Sequence, residues 1–150
     1  MKMKSSQSTG DYVWLFGCQK SWGNNGYAVS TYTAEFGNNS TTTAFTIYDG
    51  VAHDVDFDCG TLKIDGSTVW TSSGTFQTEF YLYLAAINVN GSASGFDGYI
   101  YSCQVYDNGT LVRDYVPCIN ASGEVGLYDL VGKQFYGNAG TGVFTGSEVA

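Results

Sequence analysis

The sequence predicts an all-β chain folded as an antiparallel two-sheet β-sandwich. Composition is the first observation: 20 glycines, one proline, 12 tyrosines and 9 phenylalanines among 150 residues describe aromatic and β-branched strands broken by glycine turns. Periodicity is the second. From Val51 to Cys59, Val51, His53, Val55, Phe57 and Cys59 share one face and Asp54, Asp56 and Asp58 the other, the period of two of a half-buried strand. No window combines apolar residues at i, i+3, i+4 and i+7 with good helix formers. Turn chemistry is the third: Asp107-Asn108-Gly109-Thr110 and Asp65-Gly66 each carry a dipeptide that a two-residue hairpin turn requires.

Taken in order, Lys2 to Gln7 alternates like a strand already under way. Tyr12 to Cys18 is apolar throughout, which places it centrally in its sheet. Ser21 to Gly26 reads as a loop rich in turn residues, and Tyr27 to Tyr32 resumes a strand with Tyr27 and Val29 on one side. Phe36 to Ser40 turns the chain, Thr43 to Tyr48 alternates, Asp49-Gly50 turns it again, and Gly60 reverses the strand that starts at Val51. Thr61 to Asp65 and Thr68 to Thr71 flank the Asp65-Gly66 turn. Phe80 to Val89 is the longest apolar run and reads as a mid-sheet strand; Asn90 to Gly95 reads as a flexible loop. A hairpin of Tyr99 to Asp107 with Leu111 to Val116 follows, with Tyr101, Cys103 and Val105 on one face. Glu124 to Leu130, Gln134 to Tyr136 and Gly142 to Thr145 complete about twelve strands.

A length of 150 residues predicts one domain, 1–150, with a two-layer core. The net charge of −8, with five lysines and one arginine, would repel a phosphate backbone, so direct nucleic-acid binding is not expected. No run approaches about 18 apolar residues, and Met1-Lys2-Met3-Lys4 is followed by polar residues rather than an apolar signal core. Neither a membrane span nor a signal peptide is expected. Cys18, Cys59, Cys103 and Cys118 fit no zinc spacing. Cys59 and Cys103 fall on core-facing positions, which predicts buried free thiols.

Two stretches carry a resemblance. The ungapped run from Gly98 to Cys118, G-Y-I-Y-S-C-Q-V-Y-D-N-G-T-L-V-R-D-Y-V-P-C, followed by Gly126 to Gly142, G-L-Y-D-L-V-G-K-Q-F-Y-G-N-A-G-T-G, resembles the C-terminal half of the concanavalin A-like, laminin-G-like domains of phage tail, prophage and gut bacterial surface proteins. Upstream, Val51 to Val55 and Leu62 to Gly66 are similar to a strand pair of laminin-G and pentraxin-like sandwiches. The resemblance implies a jelly roll that lacks the family's first strand. It also implies an exposed C-terminal edge over Gly142 to Val149, able to pair with another chain. Arg113-Asp114 matches the fold signature and is expected to form a structural pair. The family's calcium ligands do not map onto this chain, so no metal or other cofactor is expected.

The function expected on that resemblance is a non-catalytic recognition or adhesion module, carbohydrate-binding and of phage or bacterial surface origin, whose partner is a glycan or a cell-surface protein. Sugar recognition calls for an aromatic ring beside amide groups. Trp22, Asn24, Asn25 and Tyr27 gather on one loop, Asn88 and Asn90 border another, and Trp70 and Tyr48 are candidates to extend that surface. One alternative is a glycoside hydrolase using Asp54, Asp56 or Asp58, whose carboxylates follow one another along a strand about 6.5–7 Å apart. Three aspartates opposite Val55 and Phe57 are otherwise the ordinary solvated face of a strand. Another alternative is an acidic protein that inhibits a basic nucleic-acid-binding one. His53 has no serine or thiol partner motif and reads as a hydrogen-bonded structural histidine.

Overall fold

The computed structural model describes residues 1–7, 13–22, 24–42 and 44–146, with the backbone alone at Asn24 and Ser94. Tyr12, Thr43 and residues 147–149 of the expected strands lie outside them. Among the described residues there are fifteen strands and no helix, as the missing 3.6-residue period requires. The chain divides into two compact units, Met3–Tyr99 and Met1–Lys2 with Ile100–Ala150.

The unit Met3–Tyr99 is built in two layers. One holds β1 (Lys2–Ser5), β6 (His53–Asp58), β7 (Thr61–Ile64) and β8 (Ser67–Thr71), hydrogen-bonded in that order. The other runs β11 (Ser92–Gly95), β10 (Ala86–Val89), β2 (Trp14–Ser21), β3 (Asn24–Ser30), β4 (Ala34–Gly37), β5 (Asn39–Thr41), with β9 (Tyr83–Leu84) also on β2. The layers pack as a β-sandwich. Phe57 of β6 is the node of the seam: its ring lies 4.8 Å from Tyr27, 6.2 Å from Phe36 and 6.5 Å from Phe16 of the facing sheet. Each such aromatic pair contributes about 0.5–1.5 kcal/mol beyond its buried area. Val55, Leu62 and Ile64 are buried beside it, the alternate positions of β6 and β7 that the period of two assigns to the core. Trp14 to Gln19 is buried without interruption, as expected of a central strand.

The turns follow their dipeptides. Asp65 and Gly66 both have positive φ, 51° and 79°, the condition for the mirror-image turn that matches strand twist. Cys59-Gly60 does the same at the β6–β7 junction, with φ of 43° and 84°. That placement corrects the expectation for Cys59: it is an exposed turn residue, whereas Cys103 is buried.

Four further expectations are corrected in this unit. Phe80 to Val89 is not one strand, because Ala85 adopts φ 58° and bends the chain there. β9 pairs with β2 antiparallel while β10 pairs with it parallel. Asn90 to Gly95 is not a loop: Asn90 and Gly91, φ 47° and 90°, turn the chain into β11, which pairs with β10 from Val89↔Ser92 to Ala86↔Gly95. The loop expected over Ser21 to Gly26 contracts to a tight hairpin in which Ser21 opposes Asn24. Residues 44–48 form no strand. Their alternation is real, since Phe45 and Ile47 are buried, and Ile47 donates its N–H to the Thr31 carbonyl at 2.9 Å.

The unit containing Ile100–Ala150 carries an antiparallel meander of β12 (Gly98–Asp107), β13 (Thr110–Ile119), β14 (Val125–Asp129) and β15 (Gln134–Tyr136). Asp107 opposes Thr110 across Asn108-Gly109, both with positive φ, so the expected hairpin forms. Arg113 pairs with Asp129, Nε to Oδ2 at 3.5 Å, and not with Asp114. Successive strand residues point to opposite faces. Asp129 lies across from Tyr115, on the Arg113 face. Residues 142–145 form no strand.

Candidate functional site

An open polar recess of about 570 Å³ lies in the unit Met3–Tyr99, lined by Asn38, Asn39, Ser40, Trp70, Thr71, Ser72 and Ser73. Two segments build it. The β4–β5 turn supplies the amides: Phe36 opposes Asn39, so Gly37 and Asn38 occupy the turn, and Gly37 takes φ 62°. The end of β8 supplies the indole and the hydroxyls as the chain leaves the β6–β7–β8 layer. Trp70 opposes Leu62 on β7, and its ring sits 6.3 Å from Phe57. The aromatic seam of the sandwich therefore fixes one wall of the recess.

Short hydrogen bonds hold the polar groups. Asn39 donates from Nδ2 to Ser72 Oγ at 3.0 Å, the Gly74 N–H donates to the same oxygen at 3.1 Å, and the Ser72 N–H donates to the Gly60 carbonyl at 2.8 Å. Gly74 must be small. A Cβ there would lie 2.9 Å from both Asn39 Nδ2 and the Phe36 carbonyl oxygen, closer than such contacts are tolerated. On the other side, Asn38 Oδ1 accepts the Asn25 N–H at 3.0 Å. That leaves the Asn38 amide nitrogen and the Asn39 amide oxygen without partners among the described residues.

The residues expected from sequence are spread over different tasks. Trp70 lines the recess; Tyr48 instead meets Tyr32 edge to face at 6.2 Å. Trp22 is 63% exposed in the β2–β3 turn, its ring 6.4 Å from Trp14. Asn24 opens β3, and its side chain lies outside the described residues. Asn25 braces the recess from behind, since its Nδ2 also donates to the Gln77 carbonyl at 2.7 Å. Tyr27 belongs to the seam: its hydroxyl donates to the Phe57 carbonyl at 2.8 Å, and burial pushes that hydroxyl's pKa well up. Asn88 is buried and staples a turn, donating to the Tyr81 carbonyl at 2.9 Å and accepting the Gly91 N–H at 2.8 Å. Asn90 supplies the positive φ of that turn. Sequence reasoning missed Asn38, Asn39 and Ser72, whose only local signal was turn chemistry.

Asp54, Asp56 and Asp58 are exposed on β6, opposite Val55 and Phe57, and Asp56 lies across from Lys63. His53, 13% exposed, is held between two carboxylates: Nδ1 to Asp65 Oδ2 at 2.7 Å and Nε2 to Asp49 Oδ1 at 3.1 Å. Burial of the ring opposes its charging, yet the bonds to Asp65 and Asp49 outweigh that and raise its pKa. Asp65 is lowered by the Asp54 N–H and by His53, and Asp49 by the Val51 N–H and by His53. Those bonds tie the Asp49 turn, the start of β6 and the Asp65 turn together, a structural role.

Among the described residues no group of three or more His, Cys, Asp or Glu is placed to hold a metal ion. No helix among them is long and apolar enough to cross a membrane. One buried carboxyl stands apart from the recess. Glu35 on β4 is 7% exposed, its Oε2 has no hydrogen-bond partner among the described residues, and burial raises its pKa to about 7. Comparison of the chain with protein families, with curated proteins and with solved structures finds no significant match.

Proposed function

We propose that this chain is a non-catalytic recognition module that binds carbohydrate in the recess at Trp70. In this reading it is a concanavalin A-like, laminin-G-like jelly roll of phage or bacterial surface origin, and its partner is a glycan on a cell surface. The observation that carries the reading is the meeting of one indole with two carboxamides and four hydroxyl side chains in a single open depression. A sugar offers the amides and hydroxyls of that combination their complement, hydroxyls that both donate and accept.

The polar groups are held before any ligand arrives. Asn38 is fixed by the Asn25 N–H and Asn39 by Ser72, so little side-chain entropy remains to be lost on binding. A glycan array run on wild type, Trp70→Ala and Trp22→Ala tests the proposal. Binding by wild type that is lost in Trp70→Ala and kept in Trp22→Ala is the expected result. Loss in Trp22→Ala alone would move the site to the β2–β3 turn, and no binding at all would remove the carbohydrate reading.

A further inference from the structure

We infer that the Trp70 recess selects uncharged sugars and takes them without a metal ion. The inference rests on the carbohydrate reading and narrows it. None of the residues lining the recess carries a charge. A sialic or uronic acid brought there would lose part of its hydration with no cation to replace it, which disfavours the charged form of the ligand. The chain as a whole carries −8, so the long-range field repels an anionic glycan before contact.

The free hydrogen-bonding groups point the same way. Asn38 Oδ1 is taken by the Asn25 N–H, which leaves its NH₂ to donate. Asn39 Nδ2 is turned to Ser72 Oγ, which leaves its carbonyl oxygen to accept. Ser72 Oγ already accepts from both Asn39 and Gly74, so its own hydrogen is available to donate. The recess thus offers donors and an acceptor from neighbouring residues. A sugar hydroxyl or an acetamido group can answer both kinds, whereas a carboxylate only accepts and meets the Asn39 carbonyl with repulsion.

The donor set also argues against a bridging calcium. Hard cations are held by six to eight oxygens, carboxylates prominent among them, and the lining supplies no carboxylate.

The test is binding to glycan pairs that share a core and differ only at the terminal residue, a neutral hexose or N-acetylhexosamine against a sialic or uronic acid. Wild type, Trp70→Ala and the exposed Asn38→Ala are measured at about 0.15 M salt, with and without EDTA. The neutral member is expected to bind at least about tenfold more tightly, EDTA to leave that affinity unchanged, and both variants to weaken it. Preference for the acidic member, or loss in EDTA that calcium restores, would overturn this inference while leaving carbohydrate binding in place. No binding to either member would instead overturn the carbohydrate reading on which the inference stands.

Discussion

The Asn25 N–H donates to Asn38 Oδ1 at 3.0 Å, joining β3 to the β4–β5 turn across 13 residues of sequence. Asn25 can do so because it sits at φ 49°, a conformation that asparagine tolerates and most residues resist. Its side chain then spans to Gln77, so one residue fixes both the turn and the segment that leaves β8.

Asn25→Ala is expected to lower stability by about 2 kcal/mol, because alanine tolerates positive φ less well than asparagine and the bond to the Gln77 carbonyl is lost. Asn25→Gly keeps the backbone conformation and is expected to lose only about 1 kcal/mol. Chemical denaturation of the two variants checks the order. Equal losses would mean that the positive φ has no role.

Gly74→Ala places a methyl group against Asn39 Nδ2 and the Phe36 carbonyl. The neighbouring backbone cannot yield easily, so a loss of about 1–3 kcal/mol is expected. Affinity at the recess is expected to fall with it, because Asn39 must move. Thermal melting beside a glycan titration checks both effects.

Glu35 gives the stability a pH dependence. Burial holds its folded pKa near 7 against an ordinary value of 4.5, so the native state keeps a proton that the unfolded chain releases. Its contribution is therefore complete below about pH 4.5 and disappears as pH rises through about 7. Glu35→Gln is expected to stabilise by about 3 kcal/mol above pH 7 and to change little at pH 4. Urea melts of both proteins across that range provide the check, and a difference that does not vary with pH would contradict it.

His53 works in the same sense as Glu35, its contribution falling as pH rises, whereas Asp49 and Asp65 work in the opposite sense. The folded pKa of His53 is raised, so the clamp stabilises while the ring is charged and weakens as pH rises through that pKa. Asp49 and Asp65 are lowered, so their part is present above the ordinary carboxylate range and is lost on acidification. His53→Gln is expected to cost more stability at pH 5.5 than at pH 9. An NMR titration of the single histidine should give a pKa above 6.5.

The period of two along His53 to Asp58 and the Asp65-Gly66 and Asn108-Gly109 turns were legible because each is a local rule applied to consecutive residues. Asn90-Gly91 is the same dipeptide, yet the strand after it, S-A-S-G, has no β-branched or aromatic side chain. Its strand character comes from pairing with β10. The bend at Ala85 leaves no trace in a run as apolar as F-Y-L-Y-L-A-A-I-N-V. Trp70 was visible as a candidate, but Asn38 and Asn39 join it only because the chain leaving β8 crosses the end of β4. That meeting is a long-range contact that no local pattern encodes.

The central claim is that a neutral sugar sits among Asn38, Asn39, Ser72 and Trp70. Amide and indole NMR shifts followed during titration with a neutral glycan that binds test it most directly. Saturable shifts are expected at the Asn38 and Asn39 amides, at Ser72 and at the Trp70 indole, with Trp22 and the Asp54 to Asp58 strand unmoved. Shifts centred on Trp22 or on those aspartates, with the recess silent, would contradict it.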